Sequence, residues 1–143
     1  MYAIGIDQAS NTLAGTKPRT WPEFEARWNE ILADVDATAT RVTPRVILVD
    51  GDFVGSVNIF PQDDRDSIGY WIARDHWGRG IATRAVALIL EDFTLRPLYA
   101  SAAATNAPSI RVLTKNGFEI VSRVQTPETI RTVQRETVTL VLR

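Results

Sequence analysis

The stretch WGRGIAT, residues 77–83, decides the fold, because it lies between a predicted strand and a predicted helix. Gly78 and Gly80 let the backbone turn tightly and leave its amides uncovered. The first amides of the helix that follows have no partner within the helix, and the helix dipole adds partial positive charge there. Such a turn is typical of a site for phosphate or pyrophosphate, to which Arg79 adds a charge-assisted contact.

Two common nucleotide-binding motifs do not fit this turn. A P-loop requires a lysine after its second glycine, and no lysine lies near residues 77–83. A dinucleotide fingerprint requires a third small residue where Thr83 stands, together with a parallel sheet. The upstream strands are instead predicted to be antiparallel. The alternatives that remain are a phosphate site of another type and a plain connection between strand and helix.

Periodicity predicts the elements on either side of the turn. The predicted strands span residues 45–50, 53–60, 67–73, 98–103, 118–124 and 132–142, and the predicted helices span 21–35, 81–93 and 108–115. Asp50-Gly51 joins the first two strands as a hairpin, and residues 61–66 form a turn. Because the strands run in succession before the central helix, the pattern favours a single α+β (mixed α/β) domain over residues 1–143.

The ends of the chain carry less distinctive patterns. Residues 1–19 are predicted to be loop with one short strand at 2–6, followed by a capping box that joins Thr20 and Glu23. Residues 36–43 end the first helix, and Gly117 is predicted to end the last one in a left-handed conformation. The final strand alternates, and an exposed edge on it would allow another subunit to pair, which makes a homodimer possible.

Composition excludes several classes of function. The chain has 143 residues, 45% of them hydrophobic, and a formal net charge of −1, so we expect one domain that binds neither nucleic acid nor an anionic membrane. It has no cysteine, which excludes disulfides and thiolate metal sites, and no metal site is predicted. The N-terminus does not resemble a signal peptide, and no apolar run is long enough to span a membrane, so a cytoplasmic location is expected.

Two linked segments carry a resemblance to a known family. These are IGYWIARDHWGRGIATRAVALIL at 68–90 and YASAAATNAPSIRVLTKNGFEIV at 99–121. In this order and spacing they resemble the GNAT superfamily of N-acetyltransferases, most closely the branch that acetylates N-terminal amines of ribosomal proteins. The match covers roughly residues 45–124, and two motifs at the correct spacing are far more specific than one glycine turn.

The resemblance implies a twisted mixed sheet whose two central parallel strands splay apart to admit acetyl-CoA, with helices on its flanks. Those strands are residues 67–73 and 98–103. Backbone groups of Trp71 and Ile72 would pair with the pantetheine arm, and the family signature falls on Trp77, Gly80 and Ala82. Tryptophan replaces the usual glutamine or arginine of that signature. The amides of the turn would hold the pyrophosphate, and they belong to Gly78, Arg79, Gly80, Ile81, Ala82 and Thr83.

The second motif, Asn106-Ala107-Pro108-Ser109, implies further contacts. Relatives place an asparagine at the Asn106 position against the CoA arm. Many carry a tyrosine four residues after the Ser109 position as the acid for the leaving thiolate, but Leu113 stands there in this chain. In the ribosomal-protein branch the serine itself is the proposed acid, so Ser109 is the candidate. Both Asn106 and Ser109 also suit the first turn of a helix as capping residues.

Acetyl transfer requires a polarised carbonyl, a leaving thiolate and a neutral amine. The Ile72 amide is expected to bind the developing oxyanion. Glu128 is the candidate base, because some relatives carry a carboxylate on the loop between the last two strands; the alternative is a solvated loop acid. His76 is a residue type that can act as a base, but it lies on the phosphate side, so the alternative is a wall residue. The acidic turn Asp63, Asp64 and Asp66 is typical of a solvated turn, and the alternative is attraction of a cationic acceptor. The aromatic stripe Trp21, Phe24 and Trp28 is typical of a helix that faces the core, and the alternative is a lining of the acceptor site.

The sequence therefore predicts an N-acetyltransferase that moves the acetyl group of acetyl-CoA to a primary amine, on a protein N-terminus or a small molecule, by direct attack. An alternative is a CoA-binding sensor or partner module without catalysis. It rests on the missing tyrosine, on the absence of a glutamate at the Ser67 position, and on an N-terminal segment that matches relatives poorly. A nucleotide-binding fold unrelated to CoA is a third interpretation.

Overall fold

A mixed sheet with helices packed on it forms the framework of the protein. The computed structural model describes residues 1–35 and 42–143, and within these ranges the sheet has six strands in the order β1-β2-β3-β4-β6-β5. The strands are β1 Thr43–Val49, β2 Asp52–Gln62, β3 Arg65–Ile72, β4 Leu98–Ala103, β5 Glu119–Thr126 and β6 Arg135–Leu142. The helices are α1 Tyr2–Gly5, α2 Gln8–Ala14, α3 Trp21–Val35, α4 Ile81–Asp92 and α5 Ala107–Lys115. This confirms the predicted α+β class with a mixed sheet.

The two central strands diverge, as the resemblance implied. Strands β3 and β4 run parallel and pair only where Ser67 lies opposite Tyr99. The neighbouring strands pair antiparallel along their lengths, for example β2 with β3 and β4 with β6. Beyond the Ser67–Tyr99 contact, β3 and β4 separate toward their carboxyl ends, so a V-shaped opening forms inside the sheet.

The two faces of the sheet carry different helices. Val138 and Leu140 of β6 are fully buried in the core cluster that includes Val86 of α4 and Leu113 of α5. Side chains alternate between the faces of a strand, so Arg135 lies on the opposite face, where its Nη1 donates to the carbonyl oxygen of Ala14 in α2. Helices α4 and α5 therefore cover one face, and α2 covers the other.

The N-terminal segment corrects one prediction. The strand expected at residues 2–6 is wrong, because Tyr2–Gly5 is helical and a second helix follows it at Gln8–Ala14. Asp7 begins that second helix: its Oδ2 accepts from the Ser10 backbone amide at 2.9 Å and from the Ser10 hydroxyl at 2.8 Å. This pair of bonds satisfies a free amide of the first turn, which stabilises a helix too short to be predicted from periodicity.

The last strand corrects a second prediction. Strand β6 lies between β4 and β5, so it has no exposed edge for another subunit. Strand β5, Glu119–Thr126, folds back and pairs antiparallel with the outer side of β6. The prediction that the final strand has an exposed edge for a second subunit is therefore wrong. Among the strands that the structure describes, the edges of the sheet are β1 and β5.

The acidic turn is a tight hairpin, as its structural interpretation predicts. Strand β2 extends to Gln62, and the turn shrinks to Asp63 and Asp64, which have φ angles of 49° and 59°. Aspartate tolerates this left-handed region better than most residues. Both residues are exposed at the start of β3, at the opposite end of that strand from the glycine turn.

Helix α3 spans Trp21–Val35 as predicted. The residues predicted to end it include 36–41, which lie outside the described ranges. The rings of Trp21, Phe24 and Trp28 pack on one another and on Tyr2. The expectation that this stripe belongs to the core is wrong: no residue from 21 to 33 is buried, and Trp21 remains 52% exposed. The stripe contacts Tyr2 of α1.

The capping contact of α3 predicts a pH-dependent contribution to stability. Glu23 Oε2 accepts from the Thr20 amide at 2.8 Å and contacts the Thr20 hydroxyl at 2.9 Å, and Oε1 pairs with Arg131 at 2.6 Å. The bond from the Thr20 amide and the Arg131 contact lower the pKa of Glu23 from 4.5 to about 2. A lowered folded-state pKa adds stability above the unfolded value, and that stability is lost as pH falls from 4.5 toward about 2.

We expect Glu23→Gln to have a lower Tm than the wild type at neutral pH, and the gap to narrow below about pH 4. Differential scanning calorimetry across pH measures this directly. Glu25→Gln, an exposed neighbour on the same helix, serves as the control and should track the wild type at every pH. A gap for Glu23→Gln that is constant with pH would contradict the assignment.

Candidate active site

A cleft of about 590 Å³ opens where β3 and β4 separate. Its walls are formed by the ends of both strands, the glycine turn, and the first turns of α4 and α5, with α2 at the other side. Most of the predicted site residues line it, namely Trp71, Ile72, Trp77, Gly78, Gly80, Ile81, Ala82, Thr83, Asn106 and Ser109. The chain thus gathers into one cavity residues that lie up to 38 positions apart in sequence.

The glycine turn has the geometry of an anion site. Gly78 and Gly80 both have φ of 72°, and Gly80 begins α4 without any side-chain cap. A Cβ added at either glycine would meet no atom within 4 Å, so open space lies over the turn. The Trp77 indole Nε1 donates to the carbonyl oxygen of Ile72 at 3.0 Å. This bond ties the turn to the end of β3 and gives tryptophan a positioning role there.

Two backbone amides at the end of β3, those of Ile72 and Ala73, point in opposite directions. The Ala73 amide donates to the carbonyl oxygen of Val54 in β2 at 2.8 Å. Because successive amides of a strand alternate in direction, the Ile72 amide points away from β2, toward the opening. An inward-pointing amide at this place is a donor for a carbonyl oxygen bound in the cleft.

A hydroxyl pair lies in the wall of the cleft. Ser109 Oγ and Tyr70 Oη are 2.6 Å apart, and Tyr70 Oη donates to the Ser109 carbonyl oxygen at 3.0 Å. Either hydroxyl can donate in the 2.6 Å contact; when the tyrosine proton is used in the bond to the carbonyl oxygen, the Ser109 hydroxyl donates to Tyr70. Burial raises the pKa of Tyr70 to about 12, so the phenol stays neutral. Asn106 Oδ1 accepts from the Ser109 amide at 3.2 Å, which caps α5.

Tyr70 was missed by the sequence analysis, although it lies within the IGYWIA segment. No pattern within that segment links it to Ser109, which lies 39 positions later. The available signal was that a buried phenol needs a hydrogen-bonding partner.

Two predicted residues do not line the cleft. Glu128 lies on the loop before β6 with 65% of its side chain exposed, and it pairs with Lys17 at 2.5 Å. The hydrogen bond from Lys17 lowers the pKa of Glu128. Arg79 faces a second cavity beside β1, and its Nη1 lies 3.0 Å from Nδ1 of His76. His76 itself lines the main cleft at the glycine turn, on the phosphate side as expected.

The charges on the cleft wall have one sign. The described lining residues of the cleft include three cationic side chains besides His76, namely Arg111, Lys115 and Arg135. They include no aspartate or glutamate. Burial lowers the pKa of Arg135. No group of three or more His, Cys, Asp or Glu side chains suited to a metal ion occurs within 1–35 and 42–143, and no helix in those ranges has the length and apolarity to cross a membrane.

Solved structures with this architecture bind CoA. Mycobacterium smegmatis RimJ in complex with CoA-disulfide matches with a TM-score of 0.77 and 26% identity, over 99% of this chain and 74% of that one. Spermidine N-acetyltransferase from Vibrio cholerae in complex with CoA and spermine matches with a TM-score of 0.80 and 16% identity, over 99% and 86%. RimL, the ribosomal L7/L12 alpha-N-protein acetyltransferase, in complex with coenzyme A, has a TM-score of 0.74 and 14% identity, over 94% and 82%.

The likeness to the spermidine enzyme and to RimL establishes the fold alone, because the identities are only 16% and 14%. No curated protein sequence matches this chain. The sequence model of the acetyltransferase (GNAT) domain matches residues 2–119. That range includes α1 and α2 as well as the glycine turn and the Ser109 motif. The cleft, the glycine turn and the splayed strands agree with this match, and the chain belongs to the GNAT family of acetyltransferases, which use acetyl-CoA.

Proposed function

We propose that this acetyltransferase transfers the acetyl group directly to a primary amine that enters the cleft between β3 and β4. The observation that carries the proposal is the Ser109 hydroxyl, held at 2.6 Å from Tyr70 in the wall of a cleft that also receives the Ile72 amide. Together these groups supply a proton donor and an oxyanion donor in one cavity. Direct transfer of this kind requires no cysteine nucleophile, and the chain has no cysteine.

The glycine turn and α5 suit the phosphates of CoA. Open space lies over Gly78 and Gly80 at the start of α4, where the helix dipole favours an anion. The amides from Gly78 to Thr83 would hold the phosphates there. Arg111 and Lys115 line the same cleft from α5 and add positive charge. The part of the cleft between the glycine turn and Ser109 is lined by Trp71, Ile72 and Asn106. This part of the cleft suits the pantetheine arm of CoA.

Each residue at the reacting centre has one task. Bound acetyl-CoA supplies an activated acetyl group as a thioester. The Ile72 amide donates to the carbonyl oxygen and stabilises negative charge that develops there. As the amine nitrogen bonds to the carbonyl carbon and the carbon–sulfur bond breaks, the Ser109 hydroxyl gives its proton to the sulfur, and the Tyr70 phenol turns its hydrogen bond from the Ser109 carbonyl oxygen to Ser109 Oγ. The proton that the nitrogen releases as the amide forms passes through solvent at the open side of the cleft and restores the Ser109 hydroxyl.

Glu128 is not assigned as the base. Its carboxylate is exposed and paired with Lys17, and its lowered pKa makes it a weaker proton acceptor. It holds the loop before β6 to the segment before α3. The acceptor ammonium instead loses its proton to water, either before it enters the cleft or through the open side.

The experiment is a screen of amines with acetyl-CoA. Release of the CoA thiol is followed by absorbance, and the acceptor is checked by mass spectrometry for one added acetyl group. Short peptides with free N-termini, polyamines and amino acids form the panel. We expect acetylation of at least one class. If CoA binds but no class is acetylated, the proposal is contradicted and the alternative of a CoA-binding module without catalysis takes its place.

Gly80→Ala tests the phosphate end of the site. A side chain at φ of 72° is strained and would project into the open space over the turn. We expect the Kd for CoA to rise at least tenfold, measured by isothermal titration calorimetry, with a loss of unfolding free energy of about 1 kcal/mol. Gly51→Ala is the matched control, since Gly51 also has a positive φ and open space but lies in the β1–β2 turn. Equal CoA affinities for both variants would contradict the assignment.

A further inference from the structure

The guanidinium of Arg135 lacks the partner that a partly buried cation normally has. Its Nη1 donates to the Ala14 carbonyl oxygen, while its Nε is buried without any hydrogen-bond partner. No ion pair to Arg135 occurs in the described part of the chain, and burial alone lowers its pKa. Removing a charge from water is costly unless a counter-ion or hydrogen bonds compensate for it. A ligand anion is one way to compensate.

The position of Arg135 separates it from the phosphate site. Arg135 lies on the sheet face that carries α2, opposite the face where Val138 packs under α4 and α5. The glycine turn belongs to the α4 face. Both faces open into the same cleft, because β3 and β4 are apart there. A thioester carbonyl beside Ser109 would therefore have phosphates on one side and Arg135 on the other, which leaves the Arg135 side for an acceptor.

The charges of the cleft bear on the acceptor. Among its described lining residues none is acidic, so a polyamine or a lysine-rich peptide would find no counter-charge on these walls. The likeness to the spermidine enzyme concerns the fold alone. Arg111 and Lys115 are assigned to the CoA phosphates, so Arg135 is the cation that remains on these walls for the acceptor. It favours an acceptor with a negative group, and a guanidinium binds a carboxylate through charge-assisted hydrogen bonds.

We propose that the acceptor is a primary amine with a carboxylate close to it, and that Arg135 binds this carboxylate and so determines specificity. The inference rests on the proposed function and names the substrate class of the same site. Two sources share this chemistry, namely a free α-amino acid and a peptide whose N-terminal residue is aspartate or glutamate. Short side chains also line the cleft, namely Ser10 and Ala14 of α2 and Thr16 just after that helix.

The test compares matched acceptors that differ only in the carboxylate. One pair is an amino acid and its amide, and the other is a peptide that begins with aspartate and the same peptide that begins with asparagine. In each pair the amine and shape are retained. We expect wild-type kcat/KM to favour the carboxylate by at least tenfold in one of the two pairs, which identifies the source. This comparison needs no variant, so misfolding cannot obscure it.

Variants then test the residue. Arg135→Gln is expected to reduce the preference to nearly one, through a higher acceptor KM, while the Kd for CoA stays the same. Arg135→Lys keeps the charge and should retain part of the preference. Arg123→Gln, an exposed position on β5 that does not line the cleft, removes the same charge and should leave the preference intact.

The outcomes are distinguishable from those for the function itself. If the wild type acetylates both members of each pair equally, the inference is overturned while the acetyltransferase function stands. If Arg135→Gln lowers both rates equally together with Tm, Arg135 only tethers α2, and the specificity role is overturned. If no amine in any pair or in the wider screen is acetylated although CoA binds, the proposed function itself has failed.

Discussion

Replacing Ser109 by alanine is expected to lower kcat about 100-fold, because loss of a positioned acid costs at least this much in most enzymes. The sulfur would then leave as an unprotonated thiolate. The fold should survive, since the capping bond to Asn106 uses the Ser109 backbone amide rather than its hydroxyl. The Kd for CoA should change little. Steady-state kinetics with a saturating acceptor, together with calorimetric titration of CoA, measure both quantities.

Two companion variants sharpen this result. Tyr70→Phe keeps the ring and removes the hydroxyl 2.6 Å from Ser109 Oγ, and we expect a smaller loss of kcat of about tenfold, in keeping with an indirect role. Thr114→Ala removes an exposed hydroxyl from the same helix and should leave kcat intact. A Ser109→Ala enzyme with the kcat of Thr114→Ala would show that Ser109 is only a helix residue. Acetyl donors with a better leaving thiol should recover activity in Ser109→Ala.

Replacing Gly55 by alanine is expected to destabilise the protein by about 3 kcal/mol, among the largest effects of a single substitution. An added Cβ would lie 2.1 Å from the carbonyl oxygen of Trp71 and 3.1 Å from the Cα of Ile72. Both neighbours are backbone atoms of β3, so no side chain can move aside. The strands β2 and β3 would have to shift apart.

That shift would also move the donor amide of Ile72. We therefore expect Gly55→Ala to weaken CoA binding as well as to lower the midpoint of urea denaturation. Ser56→Ala, at the next position of β2, is the control and should change the midpoint only slightly. A Gly55→Ala midpoint equal to that of the wild type would mean that β2 and β3 are not packed as closely as described.

The site was predictable where chemistry and local structure coincide. The glycine turn, α4 and the capping Asn106 follow from short-range rules, and β4 begins and ends at the predicted residues. The prediction that β3 and β4 separate came from the family resemblance, because the residue pattern of one strand does not indicate how far it pairs with another. Trp77 shows how a departure from a signature can be harmless: its indole binds the Ile72 carbonyl oxygen, and the turn keeps its shape.

The rest depended on long-range contacts. Helices α1 and α2 are short, and their stability comes from tertiary contacts such as the bond from Trp71 Nε1 to the Ile4 carbonyl oxygen at 2.9 Å. The placement of β6 between β4 and β5 depends on how the chain folds back. The alternation of hydrophobic and polar residues within a strand does not predict this. Arg135 begins β6 and meets Ala14 across 121 residues. The hydroxyl pair likewise joins Tyr70 and Ser109, which lie 39 positions apart.

The most direct test of the central claim is the thermal stability of the protein with acetyl-CoA, free CoA, ATP and NAD added separately. A ligand at about 100 times its Kd stabilises the folded state by about 2.7 kcal/mol, which raises Tm by several degrees in a domain of this size. We predict a clear rise with acetyl-CoA and with CoA, and none with ATP or NAD. Well-folded protein whose Tm is unchanged by either CoA species would contradict the account.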